Sequence, residues 1–259
     1  MICAISGSNG FIGSHLCKKL ESLGHEVKRI ERDGSFKGRA DWIFDCGAYG
    51  NLFGQDDENE MYEANVEKLN NLLTRDCKSL IYISSSSVGL ETQTEYSKSK
   101  KEAEDDLKAS VKLYEVPAVI VRPYTVIGTR EPVIHLIPKL IKSCMFGEKM
   151  PFVPGPVHDF IDVRDLVDAL ILIAGNSDKY KGEVFEIGSG ISTPNWEIKD
   201  LVEDVTGSKA NIEIVDSLRP YDTKDWKSDN TKIKSLGWEP KYTLKQSIFN
   251  MVSEYLPGV

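Results

Sequence analysis

The sequence predicts an α/β protein built on a doubly wound parallel sheet. Three observations point there. Short apolar runs of β type alternate with longer segments of helical periodicity, the pattern of strand–helix crossovers. A glycine-rich turn falls between the first strand and the first helix. Beyond Pro123 the alternation gives way to stretches rich in Gly and Pro, such as Pro151-Phe152-Val153-Pro154-Gly155-Pro156. That shift predicts a smaller, less regular lobe. The expected boundaries are 1–124 for the first domain, with 159–190 returning to it, and 125–259 for the lobe.

The elements follow in order. Ile2 to Ser6 reads as a strand and Phe11 to Leu23 as a helix. Glu26 to Ile30 is the second strand and Trp42 to Cys46 the third. Glu58 to Arg75 has helical spacing, and Leu80 to Ser84 is strand-like. Tyr96 to Tyr114 is a charged amphipathic helix that Pro117 terminates. Ala118 to Arg122 is a further strand.

With 259 residues, 41% of them hydrophobic and 28% charged, the chain can bury a core without staples. Its net charge of −8 argues against nucleic-acid binding, which needs a basic face. A small anion is still a possible ligand, because a helix N-terminus can hold a phosphate. No apolar run approaches the ~18 residues of a membrane span. Met1 to Ile5 runs into Ser6-Gly7 without a basic n-region, so no secretory signal is expected. Five scattered cysteines without a CxxC pair read as reduced thiols of a cytoplasmic protein. His135 and His158 are too isolated for a metal site, and none is expected.

Gly7-Ser8-Asn9-Gly10-Phe11-Ile12-Gly13 follows the first strand and opens the first helix, the context that gives a glycine fingerprint its meaning. The first glycine permits a tight turn. The second lets backbone approach a pyrophosphate, and the third lets helix and strand pack closely. An acidic residue about 20 positions on would bind a ribose diol. Glu31 stands at the end of the second strand, 18 positions after Gly13. Glu31 favours NAD, while the neighbouring Arg32 could pair with a 2′-phosphate and keeps NADP possible.

Tyr96-Ser97-Lys98-Ser99-Lys100 holds a YxxxK spacing, which puts Tyr96 and Lys100 on one helix face. A phenol is a poor acid–base at neutral pH, but a nearby ammonium lowers its pKa. Tyrosine can then exchange a proton with a carbinol or carbonyl oxygen. Ser84-Ser85-Ser86-Ser87 follows an apolar strand just upstream, where a hydroxyl can reach the ligand crevice.

These residues resemble the extended short-chain dehydrogenases/reductases, specifically the NAD-dependent nucleotide-sugar epimerase/dehydratase group. The resemblance covers almost the whole chain. Ile81 to Ser86 is similar to the family's serine-bearing strand, and Val121-Arg122-Pro123-Tyr124-Thr125-Val126-Ile127-Gly128 to its RPxNVYG segment. His158 to Leu166 resembles its RDFIHVxDL segment, and Phe185 to Gly190 its NxGxG turn. Arg219-Pro220-Tyr221-Asp222 and Leu236-Gly237-Trp238-Glu239-Pro240 resemble its RPGD and LGWxP pieces.

The resemblance implies a Rossmann-like domain that binds a dinucleotide and a C-terminal lobe that binds a sugar nucleotide. It implies that Ser86 would bond the substrate oxygen, with Ser85 in its place if the register slips by one residue. Tyr96 would be the acid–base, and Lys100 would hold the nicotinamide ribose. Ala48 and Asn65 match positions near the cofactor, and a homodimer through the helices at Glu58–Arg75 and Tyr96–Tyr114 is implied as well.

The sequence departs from that family in three places. Only nine residues, Arg32 to Ala40, separate Glu31 from Asp41. At ~3.3 Å each they reach roughly 30 Å, too little for an ordinary crossover helix. The family's third strand should therefore be absent or vestigial, leaving the adenine pocket more open. Thr125 replaces the Asn of RPxNVYG, and His158 replaces the Arg of RDFIHV. By the resemblance both positions face the sugar nucleotide. Arg clamps phosphate in a bidentate way that His does not. Arg219 is left as a guanidinium for a diphosphate. The Asp-Glu pair that 4,6-dehydratases carry beside the catalytic hydroxyl is also missing, since Ser87-Val88-Gly89 follow the serines. An epimerase is therefore expected, with an NADPH-dependent carbonyl reductase and a nucleotide-binding module without turnover as the alternatives.

Overall fold

The computed structural model describes residues 1–52, 54–216 and 225–256. It divides into two compact units. The first comprises 1–123, 167–186 and 231–238, and the second the remaining segments.

In the first unit, β1 (Ile2–Ser6) enters the glycine turn and α1 (Phe11–Ser22) leaves it. Next come β2 (Glu26–Arg29) and β3 (Trp42–Asp45). Residues 30–41 form turns and no strand, as the short spacing requires. A helical segment follows as α2 (Glu58–Tyr62), a π-helical turn at Glu63–Glu67, and α3 (Lys68–Leu73). Asp57 caps it by accepting from the backbone N–H of Asn59 and Glu60. Then come β4 (Ser79–Ile83), a 3₁₀ turn at Ser86–Gly89, α4 (Glu95–Tyr114) and β5 (Ala118–Pro123). These bounds lie within two residues of those the periodicity predicts.

The second unit contains β6 (Thr125–Ile127), α5 (Leu136–Phe146), β7 (Met150–Phe152) and β8 (Val157–Asp162). Helix α6 (Val163–Ala174) and strand β9 (Val184–Ile187) lie largely in the first unit. The second unit continues with β10 (Ser192–Pro194), α7 (Asn195–Thr206) and β11 (Ile212–Ile214). The short α8 (Thr231–Lys234) belongs to the first unit and α9 (Leu244–Ser253) to the second.

Six strands make one sheet in the order β2-β1-β3-β4-β5-β9, and every pair from β2 to β5 runs parallel. The strand order reverses between β1 and β3, and that switch leaves a crevice at the carboxyl ends of those strands, where such sheets bind ligands. Strands β4 and β5 are buried along nearly their whole length, as parallel strands covered on both faces must be. Helices α3 and α4 cover one face through a core that includes Leu69, Leu72, Tyr82, Ala103 and Leu107. The second unit packs α5, α7 and α9 around its own core of Ile137, Leu140, Ile198, Ile248 and Met251. No helix among the described residues is long and apolar enough to cross a membrane.

One buried charge cluster ties α4 to the strand ends. Glu104 is fully buried and accepts two hydrogen bonds from Arg122 at the end of β5, at 2.7 and 2.6 Å. Ser84, just past β4, donates to the same carboxylate at 2.7 Å. Burial alone would raise the Glu104 carboxyl, but the Arg122 and Ser84 bonds outweigh it and hold it below its usual range. Glu104→Gln, which removes the buried carboxylate charge that Arg122 and Ser84 hold, should destabilise the protein by about 3 kcal/mol in a denaturant titration. A depressed carboxyl stabilises the fold above its unfolded pKa and loses that effect as pH falls through the folded value. The gap between wild type and variant should therefore shrink below about pH 4. A gap that stays constant into acid would show that the ion pair contributes nothing.

Candidate active site

The glycine turn is shaped for close approach. Gly7 has φ +60°, and a Cβ there would lie 2.8 Å from Gly47 Cα. A Cβ on Gly13 would lie 2.2 Å from the Gly7 carbonyl oxygen, so only glycine lets α1 start against β1. Gly10 donates its N–H to the Gly7 carbonyl at 2.8 Å and caps α1 without a side-chain acceptor. The N–H groups of the first turn, beginning at Phe11 and Ile12, therefore have no side-chain cap and face the helix N-terminus, a ready anion site.

A cavity of about 410 Å³ opens beside this turn. Gly7, Gly47 and Ala48 line it from two strand ends, and Glu31, Arg32 and Asp33 from the loop after β2. Glu60, Glu63, Glu67 and Lys68 add the helical wall. Asn9, Gly10, Phe11, Ile12 and Gly13 lie outside this wall, in the turn and the start of α1. Asn65 is also outside it. Its amide is fully buried, donating to Tyr49 O at 2.8 Å and Ser99 Oγ at 3.0 Å and accepting from Tyr49 N at 3.0 Å. Asn65 thus acts on the cleft through the loop it clamps. It sits in the π turn, a feature that often accompanies functional sites.

The hydroxyl–phenol–amine group assembles at the carboxyl end of β4. Thr94 caps α4, and Tyr96 and Lys100 stand one turn apart at its start. Of the serine run, Ser85 is the residue that bears on the Tyr96 phenol, lowering its pKa. Ser85 is extended, caps the 3₁₀ turn and shares a 2.8 Å hydrogen bond with Ser87 Oγ. Ser86 is buried as the first residue of that turn. Ser85, the residue that a one-residue slip would select, therefore stands beside Ser86 as a candidate for the substrate-binding hydroxyl.

Lys100 is 1% exposed. Its Nζ donates to Ile83 O at 2.9 Å, 4.6 Å from the centre of the Tyr82 ring and 6.0 Å from that of Tyr96. Burial lowers its pKa, the positive charge of Lys68 lowers it further, and the result is about 7. The Tyr96 phenol departs from the expectation of a lowered pKa. Burial raises it above its ordinary value, and Ser85 only partly offsets that. The Lys100 ammonium, turned to the Ile83 carbonyl, does not act as a close counter-charge. At neutral pH the phenol is therefore a proton donor.

In the second unit Thr125 is half-buried on β6, opposite Phe160. His158 on β8 packs its ring 5.4 Å from Trp226 and 5.7 Å from Phe160, and Trp226 also meets Tyr124 at 6.3 Å. The next residue, Asp159, is fully buried and accepts hydrogen bonds from the backbone and hydroxyl of Ser189 and of Ser228 and from Gly190 N. Arg219 lies outside the described residues.

Sequence reasoning missed Asp45, Lys68 and Glu104. Each left a signal, a charge on an otherwise apolar surface. Lys68 falls on the buried helix stripe with Met61, Asn65 and Leu72, and Asp45 ends a buried strand.

The profile of the NAD dependent epimerase/dehydratase family matches residues 3–43 and 34–188. The low-salt glycan biosynthesis protein Agl12 of Haloferax volcanii is 32% identical over 164 residues, 62% of this chain and 52% of that protein. A probable UDP-arabinose 4-epimerase 3 of Oryza sativa subsp. japonica is 31% identical over 59% of this chain and 44% of that one. The chain thus spans about half the length of these curated relatives. The solved structure of MoeE5 in complex with UDP-glucose and NAD shares the fold, with a TM-score of 0.88 at 21% identity over 98% of both chains.

Asn65→Ala should release the Tyr49 amide from its clamp. Hydrogen exchange at Tyr49 should then speed up about tenfold, the worth of roughly one hydrogen bond. Unchanged exchange would mean that the loop is held by something other than Asn65.

Proposed function

Because this chain belongs to the NAD dependent epimerase/dehydratase family, we propose that it is an NAD-dependent sugar-nucleotide epimerase working through Ser85, Tyr96 and Lys100. The observation that carries the reading is the buried Lys100 one helical turn from the Tyr96 phenol, with Ser85 bearing on that phenol from the end of β4. The backbone-on-backbone packing of Gly7, Gly13 and Gly47 leaves the helix N-terminus and the cavity beside it free of side chains, which fits a dinucleotide. Gly7, Asn9 and the Gly10–Gly13 segment would hold its pyrophosphate, Glu31 its adenosine ribose, Ala48 the cleft wall and Lys100 the nicotinamide ribose. NAD, when bound, supplies the hydride acceptor and donor at the sugar carbon.

The chain's own residues manage the proton. Tyr96 gives it to a carbonyl oxygen, or takes it from a hydroxyl once ionised. Ser85 holds the same oxygen by a second hydrogen bond. Lys100 would stabilise the phenolate by turning from the Ile83 carbonyl toward Tyr96 when it forms. Dehydration is not favoured, because no carboxylate follows Ser85 in the turn Ser86–Gly89. The names of the relatives support a sugar nucleotide as substrate. Thr125, His158 and Arg219 are its candidate contacts in the second lobe.

The cavity wall carries Glu31, Asp33, Glu60, Glu63 and Glu67 against Arg32 and Lys68. That excess of carboxylates repels a 2′-phosphate and favours NAD. Arg32 on the same wall supports the second reading, a carbonyl reductase using NADPH. Purified protein, denatured, should release NAD in near-stoichiometric amount. Empty protein that oxidises NADPH with an added carbonyl compound would replace the epimerase with the reductase.

Tyr96→Phe should abolish turnover with cofactor still bound. Ser85→Ala should lower kcat by about a hundredfold, well beyond the effect of Ser86→Ala. Equal losses in the two serine variants would remove Ser85 from its role, and a fully active Tyr96→Phe would leave a nucleotide-binding module. Glu31→Ala should weaken NAD more than NADP in a titration. An equal effect on both would refute the ribose contact.

A further inference from the structure

Behind Tyr96 and Lys100 lies a second set of buried charges that the proposed chemistry does not use. Asp45 at the end of β3 is fully buried, and Lys68 at the start of α3 is 4% exposed. Lys68 Nζ is 2.9 Å from Asp45 Oδ1 and donates to Gly47 O at 2.5 Å. Ser6 donates to the same carboxylate oxygen and accepts from Gly47 N at 2.8 Å. The other oxygen, Asp45 Oδ2, has no hydrogen-bond partner among the described residues, nor does the Tyr82 hydroxyl. Asp45 and Tyr82 are register neighbours on β3 and β4, so these two atoms belong to side chains on one face of the sheet. Lys100 Nζ stands over that same Tyr82 ring.

Holding α3 on the sheet does not require such a pair. An apolar pair of similar volume commonly does so equally well, because burying two charges costs about as much as their attraction returns. We propose that the Asp45–Lys68 pair is a positioning element for Lys100, two fixed opposite charges that set the charge state of that amine. The inference rests on the reading of Lys100 as the amine that serves Tyr96.

The groups that bear on Lys100 come from every element around it. Burial and Lys68 work against its proton, while Asp45 and Glu104 favour it, and the Cys46 thiol, pushed up by burial, stays neutral. Arg122 partly neutralises Glu104, and the Tyr82 and Tyr96 phenols are both held above their ordinary range and stay neutral. The two members of the pair therefore act on Lys100 in opposite directions. Asp45→Asn leaves the Lys68 charge unopposed, so Lys100 should lose its proton at lower pH. Lys68→Met leaves Asp45 unopposed, so Lys100 should keep its proton to higher pH. A merely structural pair would not produce shifts of opposite sign.

The measurement is an NMR titration of the full chain labelled with ¹³C-lysine, with the Lys100 Cε resonance assigned by Lys100→Arg. The midpoint should fall by about one pH unit in Asp45→Asn and rise by about one in Lys68→Met. Should Lys68→Met not fold, the double variant Asp45→Asn/Lys68→Met, which strands no charge, should titrate above Asp45→Asn. Coincident midpoints in wild type, Asp45→Asn and the double variant would overturn the proposal, as would an upward shift in Asp45→Asn. The pH profile of turnover should follow the same shifts. NMR shifts in a protein without turnover would leave the pair's role intact and overturn the enzymatic reading instead.

Discussion

The structure depends on how closely α1 can lie against the end of β1. The Gly13 hydrogen points at the Gly7 carbonyl, where a Cβ would stand 2.2 Å from oxygen. Gly7 in turn touches Gly47 at the end of β3, at a distance that leaves no room for a side chain. Two strand ends and a helix N-terminus therefore meet without side chains between them. The crevice they frame accepts an elongated anion, and it places unopposed N–H groups at its phosphate end. A methyl group at either glycine would push the helix off the strand and close the crevice.

Around that frame the first unit buries an unusual amount of charge, and each charge is held differently. Glu104 is satisfied by Arg122 and Ser84 and is held as a carboxylate. Lys68 and Asp45 satisfy each other only in part, since one carboxylate oxygen is left over. Lys100 has a backbone carbonyl as its hydrogen-bond acceptor and gives up its proton near neutrality. Such differences are how one scaffold obtains groups that titrate where chemistry needs them. The phenol and the amine here lie at opposite ends of that scale, one firmly protonated and the other poised to change.

The short segment between β2 and β3 alters what surrounds the adenosine end of the crevice. Without a crossover helix, residues 30–41 fold against α3. Asn71 donates to Asp33 O at 2.8 Å, and Gly34, at φ +84°, lies against the Lys68 carbonyl. Lys68 thus supports the loop with its backbone and the strand ends with its ammonium. The wall that results carries Glu31, Asp33 and three further glutamates, which explains why a nucleotide with an extra phosphate would be disfavoured there.

The strand–helix alternation, the glycine turn and the YxxxK spacing were legible from residue types alone, because each follows from a local period or a backbone conformation that only glycine tolerates. The missing crossover was legible too, since nine residues cannot span more than their contour length. The choice between Ser85 and Ser86 was not. In a run of four serines spacing is silent on which hydroxyl lies nearer the phenol, because the extended backbone of Ser85 and the turn after it are set by the fold. The raised pKa of Tyr96 was also hidden, because spacing says that two groups share a face but not how much water is removed from each. Asp45 and Lys68, 23 positions apart in the chain, become a pair only when α3 folds back over β3. Sequence by itself determined the scaffold and the types of groups on it. Tertiary structure decided which of them meet and what charge they carry, because burial and charge–charge distance exist only in the folded chain.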